Sequence, residues 1–347
     1  MNEIKSLYFS AIEEAKNFIS NNEHLGMVLF SEPKYITELS KYANNRIVLC
    51  SSAGEFSHKG FTEHSITGFS FDVNEADIVE IIKPSIRSIH ALKKSYDKVK
   101  HNPNAFLFLL CDGLSMGEES ILSTLFFIKN DFKIIGGSAG DYCSFSDTLI
   151  YIGNRRVYSV GIFFNIQKRT QLIKENIYHT TQKRLLVTKA DPLKRIVYEL
   201  NGGKAATEYA KALGIPEGKL SETFFNYPLG RVVQDQTFIA SPMKVNPDKS
   251  ITFYSQILPN SFIEVLKPND IIENVQDTLG EIQFQPDFIL SIHCVLRSFK
   301  LKDSNLWPAF QTKLLSVTPN QAGFISYGEQ FYKRHLNQTM VILVLEK

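Results

Sequence analysis

Long hydrophobic runs are missing from this sequence of 347 residues. The most apolar segments, Phe106–Cys111 and Met340–Leu345, are short, whereas a membrane-spanning helix needs about 20 apolar residues. The N-terminus does not show the charged and then apolar pattern of a secretion signal. We therefore expect a soluble, cytoplasmic protein without a membrane span.

Cysteine is also scarce. The four cysteines are Cys50, Cys111, Cys143 and Cys294, and no two of them form a Cys-x-x-Cys pair. At least three lie inside or beside apolar segments, where a thiol packs like a small hydrophobic group. This usage predicts free, buried thiols in a reducing compartment rather than disulfide bonds.

Neither sign of charge is in excess, because 38 Lys and Arg face 36 Asp and Glu, for a formal net charge of +2. Nucleic-acid binding would need basic residues clustered on one face. The eight histidines include no pair at the i, i+4 spacing of a zinc-binding helix. Phosphate-binding glycine motifs are missing as well. The sequence therefore does not indicate a nucleic-acid, zinc or nucleotide-binding protein.

Short strands, in contrast, are strongly predicted from apolar and β-branched segments. They alternate irregularly with helices, which favours a fold of the α/β class, of mixed α+β type, with two lobes of mixed β-sheets flanked by helices. The predicted strands are Gly26–Phe30, Arg46–Cys50, Ile66–Phe71, Phe106–Cys111, Lys133–Ile135, Thr148–Ile152, Tyr158–Phe164, Gln236–Ala240, Ile251–Tyr254, Asp287–Val295, Ala322–Ile325 and Thr339–Leu345.

Helices are predicted where apolar residues recur at i, i+3, i+4 and i+7. This spacing indicates helices over Ile4–Ile19 and Glu118–Ile128. Asp191 and Pro192 are typical of an N-cap and a first helical residue, so we expect a helix from there to Leu200. Another helix, Lys204–Leu213, is predicted to end at a glycine.

A domain boundary is predicted near residue 175. The polar stretch Gln167–Glu175 separates two regions with regular hydrophobic patterns. We therefore expect one domain over residues 1–175 and a second over residues 176–347.

One short pattern follows three of the predicted strands. It reads SSAGEF at residues 51–56, GSAGDY at residues 137–142 and, more loosely, SYGEQ at residues 326–330. Each copy reaches a glycine and then a carboxylate, and each is followed by a polar loop and another apolar strand. The recurrence predicts partial internal pseudo-symmetry, and such repeats often pair around a cleft. Glycine permits a sharp turn or a close approach of ligand, so the carboxylates either contact a ligand or cap a turn.

An enzymatic alternative comes from Gly113–Gly117, which matches Gly-x-Ser-x-Gly between a strand and a helix. A hydrolase places its nucleophile in that context, with Ser115 as nucleophile and Asp287 followed by His293 or His335 as partners. The chain before Ser115 has no glycine-rich His-Gly-Gly segment that could form an oxyanion hole. The preferred interpretation is that Ser115 caps the helix, with Glu118 completing a capping box.

Two arginines and one histidine complete the candidates. Arg231 and Arg297 are predicted at buried strand ends, where each needs a carboxylate from the protein or from a ligand. His335 belongs to a polar cluster that enters the last strand. It is a candidate axial ligand to haem iron, with His293 as second choice.

These segments together resemble the FIST family over nearly the whole chain. The matching segments are Cys50–Glu55, Cys111–Leu114 and Gly136–Asp141 for the N-terminal FIST domain, and Asn201–Tyr209, Phe225–Arg231, Cys294–Arg297, Gly323–Gln330 and Asn337–Thr339 for the C-terminal FIST domain.

The resemblance implies a bacterial or archaeal sensory module that binds a small ligand and is not an enzyme. One branch of stand-alone FIST proteins binds haem and senses nitric oxide. The residues of the C-terminal motifs in this chain are similar to those of that branch. The expected partner is a histidine kinase or a cyclic-di-GMP enzyme, regulated in trans. The alternatives are a non-haem receptor for an amino-acid-like ligand and the Ser115 hydrolase. The sequence leaves the oligomeric state open, a homo-oligomer included. The expected ligand-binding residues are Ser52, Glu55, Asp141, Tyr142, Tyr227, Arg231, Arg297, Tyr327, Glu329 and Asn337.

Overall fold

The computed structural model describes residues 4–233 and 236–347, which form two compact units. Unit 1 comprises residues 4–175, Val275–His335 and Met340–Lys347. Unit 2 comprises the described residues of Asn176–Asn274 together with Leu336–Thr339. The described residues form four sheets flanked by helices, with parallel and antiparallel strand pairs, which confirms the predicted mixed α+β class.

Unit 1 contains three structural repeats. The first repeat consists of β1 (Lys5–Phe9), α1 (Ile12–Asn21), β2 (Gly26–Ser31), α2 (Pro33–Leu39), β3 (Ile47–Ser51), β4 (Glu55–Ser57), β5 (Gly60–Thr62) and β6 (Ile66–Phe71). The second consists of β7 (Ala76–Ile81), α3 (Ile89–Val99), β8 (Phe106–Cys111), α4 (Glu118–Ile128), β9 (Ile134–Ser138), β10 (Ile150–Ile152), β11 (Arg155–Arg156) and β12 (Ser159–Phe164). The third begins with β13 (Thr170–Asn176) and continues after unit 2.

Unit 2 follows β13 directly. Its elements are β14 (Tyr178–Asp191), β15 (Ile196–Leu200), β16 (Gly203–Lys204), α5 (Ala205–Leu213), α6 (Leu220–Thr223), β17 (Leu229–Val233), β18 (Gln236–Ala240), β19 (Pro242–Val245), β20 (Ile251–Phe253) and β21 (Ser261–Pro268). The strands form one sheet in the order β18-β17-β21-β14-β15-β20-β19, and β16 pairs with β15. Buried residues of α5 and α6 pack with buried residues of this sheet in one core.

The third repeat then resumes with α7 (Ile271–Gly280), β22 (Pro286–Cys294), α8 (Val295–Asp303), α9 (Trp307–Leu315), β23 (Gln321–Ser326), β24 (Glu329–Phe331), β25 (Arg334–Leu336) and β26 (Thr339–Glu346). In each repeat two parallel strands are followed by a hairpin and by a strand that returns antiparallel to the first: β2, β3 and β6, then β8, β9 and β12, then β22, β23 and β26. The pseudo-symmetry is therefore threefold.

The hairpins are exchanged cyclically between the repeats. The hairpin β4-β5 of the first repeat pairs with β23 of the third, β24-β25 of the third pairs with β9 of the second, and β10-β11 of the second pairs with β3 of the first. Each six-stranded sheet of unit 1 thus combines four strands of one repeat with two of another. This exchange binds the three sheets to one another through backbone hydrogen bonds.

Phenylalanines fill the space between the three sheets. Phe30 of β2 stacks on Phe324 of β23 with ring centroids 4.3 Å apart, and it meets Phe108 of β8 edge to face at 6.3 Å. Alternate residues of the same strands, such as Met27 and Leu29, pack instead with α1 and α2. Because strand side chains alternate between faces, β2 is buried on both sides, which explains its continuous hydrophobic sequence.

The predicted strands are found, but two helix predictions are wrong. Residues 5–9 form β1, not the first turns of a helix, because they pair antiparallel with β6 and form the edge of its sheet. Residues 196–200 form β15 after a tight turn at Pro192, in which Arg195 has φ of 55°. The polar stretch Gln167–Glu175 contains most of β13, an edge strand next to β26.

The two-domain division at residue 175 stays a prediction. The chain enters unit 2 at Asn176 but returns to unit 1 at Val275. The predicted helix before Gly214 is confirmed as α5, and this glycine ends it in the left-handed conformation with φ of 74°. All four cysteines are free thiols, and Cys50, Cys111 and Cys294 are buried. Within the described ranges, we find no helix with the length and apolarity needed to span a lipid bilayer.

Candidate functional site

The three glycine–acid turns meet inside unit 1. We call them the three-turn cluster, defined as Ser51–Glu55, Ser138–Tyr142 and Ile325–Glu329. Backbone hydrogen bonds join every pair of turns, from Gly140 N to Ser51 O (2.9 Å), from Ser138 N to Gly328 O (2.8 Å) and from Ala53 N to Ile325 O (2.9 Å). The looser third copy of the sequence pattern is therefore a full member of the cluster.

Two glycines are needed for this close approach. A Cβ atom on Gly140 would lie 2.8 Å from the backbone nitrogen of Ala53, and one on Gly113 would lie 1.9 Å from the carbonyl oxygen of Ala139. Contacts this short with backbone atoms leave no room for a side chain. Glycine here serves the packing of backbone against backbone.

Glu55 has a completely buried carboxyl group in the first turn. Ser52 Oγ donates to Oε1 at 2.6 Å, Tyr142 Oη donates to Oε2 at 2.8 Å, and the backbone amide of Ser65 lies 3.3 Å from Oε2. Burial raises the pKa of Glu55 to about 7, although these three donors act in the opposite direction. Tyr142 comes from the second turn, so this contact links two repeats.

Asp141 has a different role in the second turn. Tyr327 Oη donates to its Oδ1, and Ser144 Oγ and the amides of Ser146 and Asp147 donate to its Oδ2 at 2.7, 2.7 and 3.0 Å. Burial alone would raise the pKa of Asp141, but these hydrogen bonds hold it below its usual value. Asp141 therefore caps the loop that follows it as an ionised carboxylate.

Glu329 repeats the arrangement of Glu55 in the third turn. It is completely buried, and Ser326 Oγ donates to its Oε1 at 2.7 Å, as Ser52 does to Glu55. The neighbouring Gln330 donates from Nε2 to Ser138 Oγ at 3.1 Å. Donors of the chain itself bind Glu55, Asp141 and Glu329, so internal hydrogen bonds hold the three-turn cluster together as a frame.

Aromatic rings cover the loops beside this frame. His64 stacks on Tyr142 with ring centroids 4.8 Å apart, and the exposed ring of Phe145 stacks on Tyr327 at 5.3 Å. Tyr142, Cys143 and Phe145 all have positive φ. Such conformations cost free energy and persist only where the surrounding structure enforces them.

Arg297 finds its carboxylate within the chain. Its guanidinium lies 2.5 Å from Glu175 Oε2, both side chains are completely buried, and the guanidinium carbon lies 4.5 Å from the ring centroid of Phe310. Of the two alternatives left open by the sequence, pairing inside the protein is the one present. Glu175 was missed by sequence reasoning because it lies in the polar stretch that was interpreted only as the separation of two regions.

His293 does not fit a haem ligand. It is completely buried, and the rings of Phe56, Trp307 and Phe310 lie 5.2, 5.8 and 5.8 Å from its centroid. Burial, and secondarily Arg297, lowers the pKa of His293 well below its usual value. A porphyrin would have to displace this aromatic packing.

His335 fits a haem ligand only after a rearrangement. It is half-buried on β25, and its Nδ1 lies 3.3 Å from the amide nitrogen of Gln330, which only donates. Nδ1 is then the acceptor, and the proton of the neutral ring is on Nε2. An iron ligand uses a nitrogen that carries no proton. In the described parts of the chain no three His, Cys, Asp or Glu side chains are grouped to hold a metal ion.

Ser115 lies between β8 and α4, as predicted, but its neighbours are not those of a nucleophile. Its hydroxyl lies 3.3 Å from the carbonyl oxygen of Asp112 and 3.0 Å from Tyr158 Oη. Neither group is the histidine base that the hydrolase hypothesis needs. The predicted cap is also wrong, because α4 begins at Glu118 with Gly117 as N-cap.

Unit 2 contains a cavity of 270 Å³ that includes a predicted ligand-binding residue. We call it the Tyr227 cavity, and it is lined by Thr181, Lys183, Leu213, Ile215, Thr223, Tyr227 and Val265. A bulge between Thr180 and Arg184 interrupts the pairing of β14 with β21 at this point. Bulges often redirect side chains next to binding sites. Lys183 is a candidate that sequence reasoning missed, since nothing distinguishes it from other exposed lysines.

The structure thus brings together only part of the predicted set. Ser52, Glu55, Asp141, Tyr142, Tyr327 and Glu329 meet in the three-turn cluster, and Arg297 lies elsewhere in unit 1. Tyr227, Arg231 and Asn337 belong to unit 2. Arg231 is half-buried on β17. The Asn337 side chain is buried without a hydrogen-bond partner among the residues that the structure describes.

Two family models match the chain. The FIST N domain matches residues 24–203 and the FIST C domain matches residues 205–332. The chain belongs to the FIST family. No match was found among curated proteins. FIST domains are associated with sensory signal transduction, which supports a sensor role for this FIST protein. The border between the two matches lies in unit 2, so the FIST C match includes most of unit 2 and part of the third repeat.

Proposed function

We propose that this FIST protein is the ligand-binding input of a signalling system and acts in trans on a histidine kinase or a cyclic-di-GMP enzyme. Its ligand is a small carboxylate with an apolar part, of amino-acid-like size, bound in the Tyr227 cavity. The observation that carries the proposal is a 270 Å³ cavity in which one ammonium group and several hydroxyl groups stand beside apolar side chains.

The composition of the Tyr227 cavity supports this ligand class. Lys183 supplies a positive charge at the rim, where its Nζ also donates to Ala212 O at 2.8 Å. Tyr227 is partly exposed and supplies a hydroxyl group. Leu213, Ile215 and Val265 form an apolar wall. Pockets that combine apolar walls with a few polar groups are typical of small-molecule sites.

The backbone around Tyr227 is held in place. The hydroxyl group of the buried Tyr209 donates to the carbonyl oxygen of Tyr227, and the amide of Tyr227 donates to Thr223 O at 2.8 Å. A pre-formed site loses less entropy when the ligand binds. The Tyr227 cavity is therefore suited to small ligands, which bury only a small surface when they bind.

A thermal-shift screen tests this site. Amino acids, 2-oxo acids and short fatty acids form the panel, and a ligand at 100 times its Kd adds about 2.7 kcal/mol to the free energy of unfolding. We expect Lys183→Met to weaken the affinity for a carboxylate ligand by about tenfold or more, equivalent to about 1.4 kcal/mol. The reason is that the substitution removes the ammonium group that lines the cavity.

Two variants make the screen specific. Tyr227→Phe removes one hydroxyl group and is expected to weaken binding less than Lys183→Met does. Lys189→Met changes another exposed lysine of β14 and should leave the affinity unchanged. A panel without any stabilising compound, or a ligand whose affinity is the same in Lys183→Met, would contradict the proposed site.

Haem binding and nitric oxide sensing stay predictions from the FIST resemblance. Haem supplies an iron that binds nitric oxide, and His335 is the histidine that would hold it after the ring proton moves to Nδ1. This requires Gln330 to present its amide oxygen, which is buried without a hydrogen-bond partner in the described structure.

Reconstitution with haem decides between the two ligands. With the carboxylate receptor, we expect no Soret band that depends on His335 in protein purified from haem-supplied cells. His335→Ala is compared with His58→Ala, a variant of another partly exposed histidine. A band that His335→Ala abolishes and His58→Ala retains would establish haem as the ligand instead.

A further inference from the structure

Helix α4 is apolar on two sides. Its inner side packs Ile121, Leu122 and Leu125 into the core of unit 1. Its outer side carries Phe126 and Phe127, which are 43% and 76% exposed. A helix on a protein surface normally turns polar residues outward, and one that is apolar all round is normally covered.

Two further exposed apolar residues lie in the turn before α4. Leu114 and Met116 are 38% and 53% exposed. One apolar group therefore lies at each end of the helix, with Leu114 and Met116 at its start and the two phenylalanines at its end. Several large apolar side chains exposed along one helix and the turn before it are typical of an interaction surface.

The charges at the two ends of α4 are opposite. A groove of 350 Å³ beside Phe126 and Phe127 is also lined by Lys333 and Arg334. The Lys333 ammonium lies 5.5 Å above the ring of Phe126. The end of the helix is therefore aromatic and cationic.

The first turn of α4 carries an acidic residue on the same side. Glu119, Ser123 and Phe126 are spaced by four and three residues, which places them in one row on the helix. Seven residues of α-helix span about 10 Å, so Glu119 lies about two turns before the aromatic end. The middle of the row is Ser123, which is small enough for another helix to approach closely.

We propose that the outer side of α4 is a twofold interface with a second copy of this chain, in which the two α4 helices pair antiparallel across Ser123. The antiparallel arrangement places Glu119 of one protomer against Lys333 and Arg334 of its partner, and Leu114 and Met116 against Phe127. The twofold axis repeats both contacts. The surface is thus complementary to itself in charge and in apolar character. This self-complementarity favours a second copy of the chain as the binding partner.

Sedimentation of the full chain over a concentration series tests the dimer. We expect wild type to be dimeric and Phe127→Glu to be monomeric, with dimerisation weakened by about 100-fold, because a charge replaces an aromatic contact. Phe127 is mostly exposed, so its replacement should not disturb folding, and the circular dichroism melt verifies this. Leu193→Glu changes a residue of unit 2 that is 81% exposed and should leave the dimer intact.

Charge reversal tests the orientation. Glu119→Lys and Lys333→Glu are each expected to weaken the dimer by about tenfold, and the double variant should recover most of the affinity. In a Cys143→Ser background, Ser123→Cys should form a disulfide-linked dimer under mild oxidation. A monomeric wild type, or a dimer that survives Phe127→Glu, overturns the proposal. Double charge reversal without recovery overturns the antiparallel arrangement.

Discussion

Arg297→Met is expected to lower the free energy of unfolding of unit 1 by about 3–5 kcal/mol, because it leaves a buried carboxylate without its guanidinium. Glu175 and Arg297 are both completely buried and 2.5 Å apart. An ion in the protein interior is tolerated only when its partner compensates for the lost hydration. Methionine fills a volume similar to that of arginine, so the loss of stability results mainly from the missing positive charge.

The fluorescence of Trp307 provides the measurement. It is the only tryptophan of the chain, and it lies in unit 1, mostly buried. Urea titration followed at this residue therefore reports on the unit that contains the ion pair.

Two variants are matched to Arg297→Met. Lys302 lies on α8, as Arg297 does, and forms an exposed ion pair with Glu63. Lys302→Met breaks this pair, and exposed pairs contribute about 0–1 kcal/mol. The double variant Arg297→Met with Glu175→Leu removes both charges and should recover most of the stability. If the double variant is no more stable than Arg297→Met alone, the buried charge is not the cause of the loss.

Glu55 is expected to make unit 1 less stable as the pH rises from about 4.5 to about 7. Its pKa is raised to about 7 in the folded protein, mainly by burial, whereas an ordinary glutamate titrates near 4.3. Between these values the folded state holds a proton that the unfolded chain releases. The free energy of unfolding is expected to fall by about 4 kcal/mol over this interval and to change no further well above pH 7.

Urea titrations of Trp307 fluorescence between pH 4.5 and 8 measure this dependence. Glu55→Gln is expected to flatten it, since an amide does not titrate, and to be more stable relative to wild type at pH 8 than at pH 5. Ser52→Ala should steepen it, because Ser52 donates a hydrogen bond that lowers the pKa of Glu55. The exposed Glu13→Gln serves as control.

Other groups near Glu55 set the background for this experiment. Tyr142 donates to the carboxyl group, His64 stacks on Tyr142, and Glu32 lies 3.4 Å from His64. A Glu55→Gln protein whose stability has the same pH dependence as wild type would assign the effect to these neighbours and would contradict the buried carboxyl group as its source.

Local sequence patterns predicted much of the fold. The strand Phe106–Cys111, the helix that ends at Gly214, the buried thiols and the first two glycine–acid turns follow from side-chain periodicity and turn chemistry. Each of these features depends on residues close together in sequence. The same patterns failed at residues 5–9 and 196–200, where pairing with a neighbouring strand overrides the helical spacing.

The site was predictable only in part for a related reason. The recurrence of Ser-x-Gly-acid identified Glu55, Asp141 and Glu329, but Tyr142 as the donor to Glu55 depends on how two repeats are packed. Glu175 as the partner of Arg297 depends on β13 joining a sheet whose other strands all lie more than 100 residues before or after it in sequence.

The sequence alone determined the secondary-structure elements of most of this FIST protein and the existence of three similar turns. Only the tertiary structure decided that the three repeats exchange their hairpins, and that unit 2 is inserted after the first strand of the third repeat. The physical reason is that strands pair through backbone hydrogen bonds, which are the same for every residue type. The packing of whole sheets therefore decides which strands pair, and the sequence of any one strand does not.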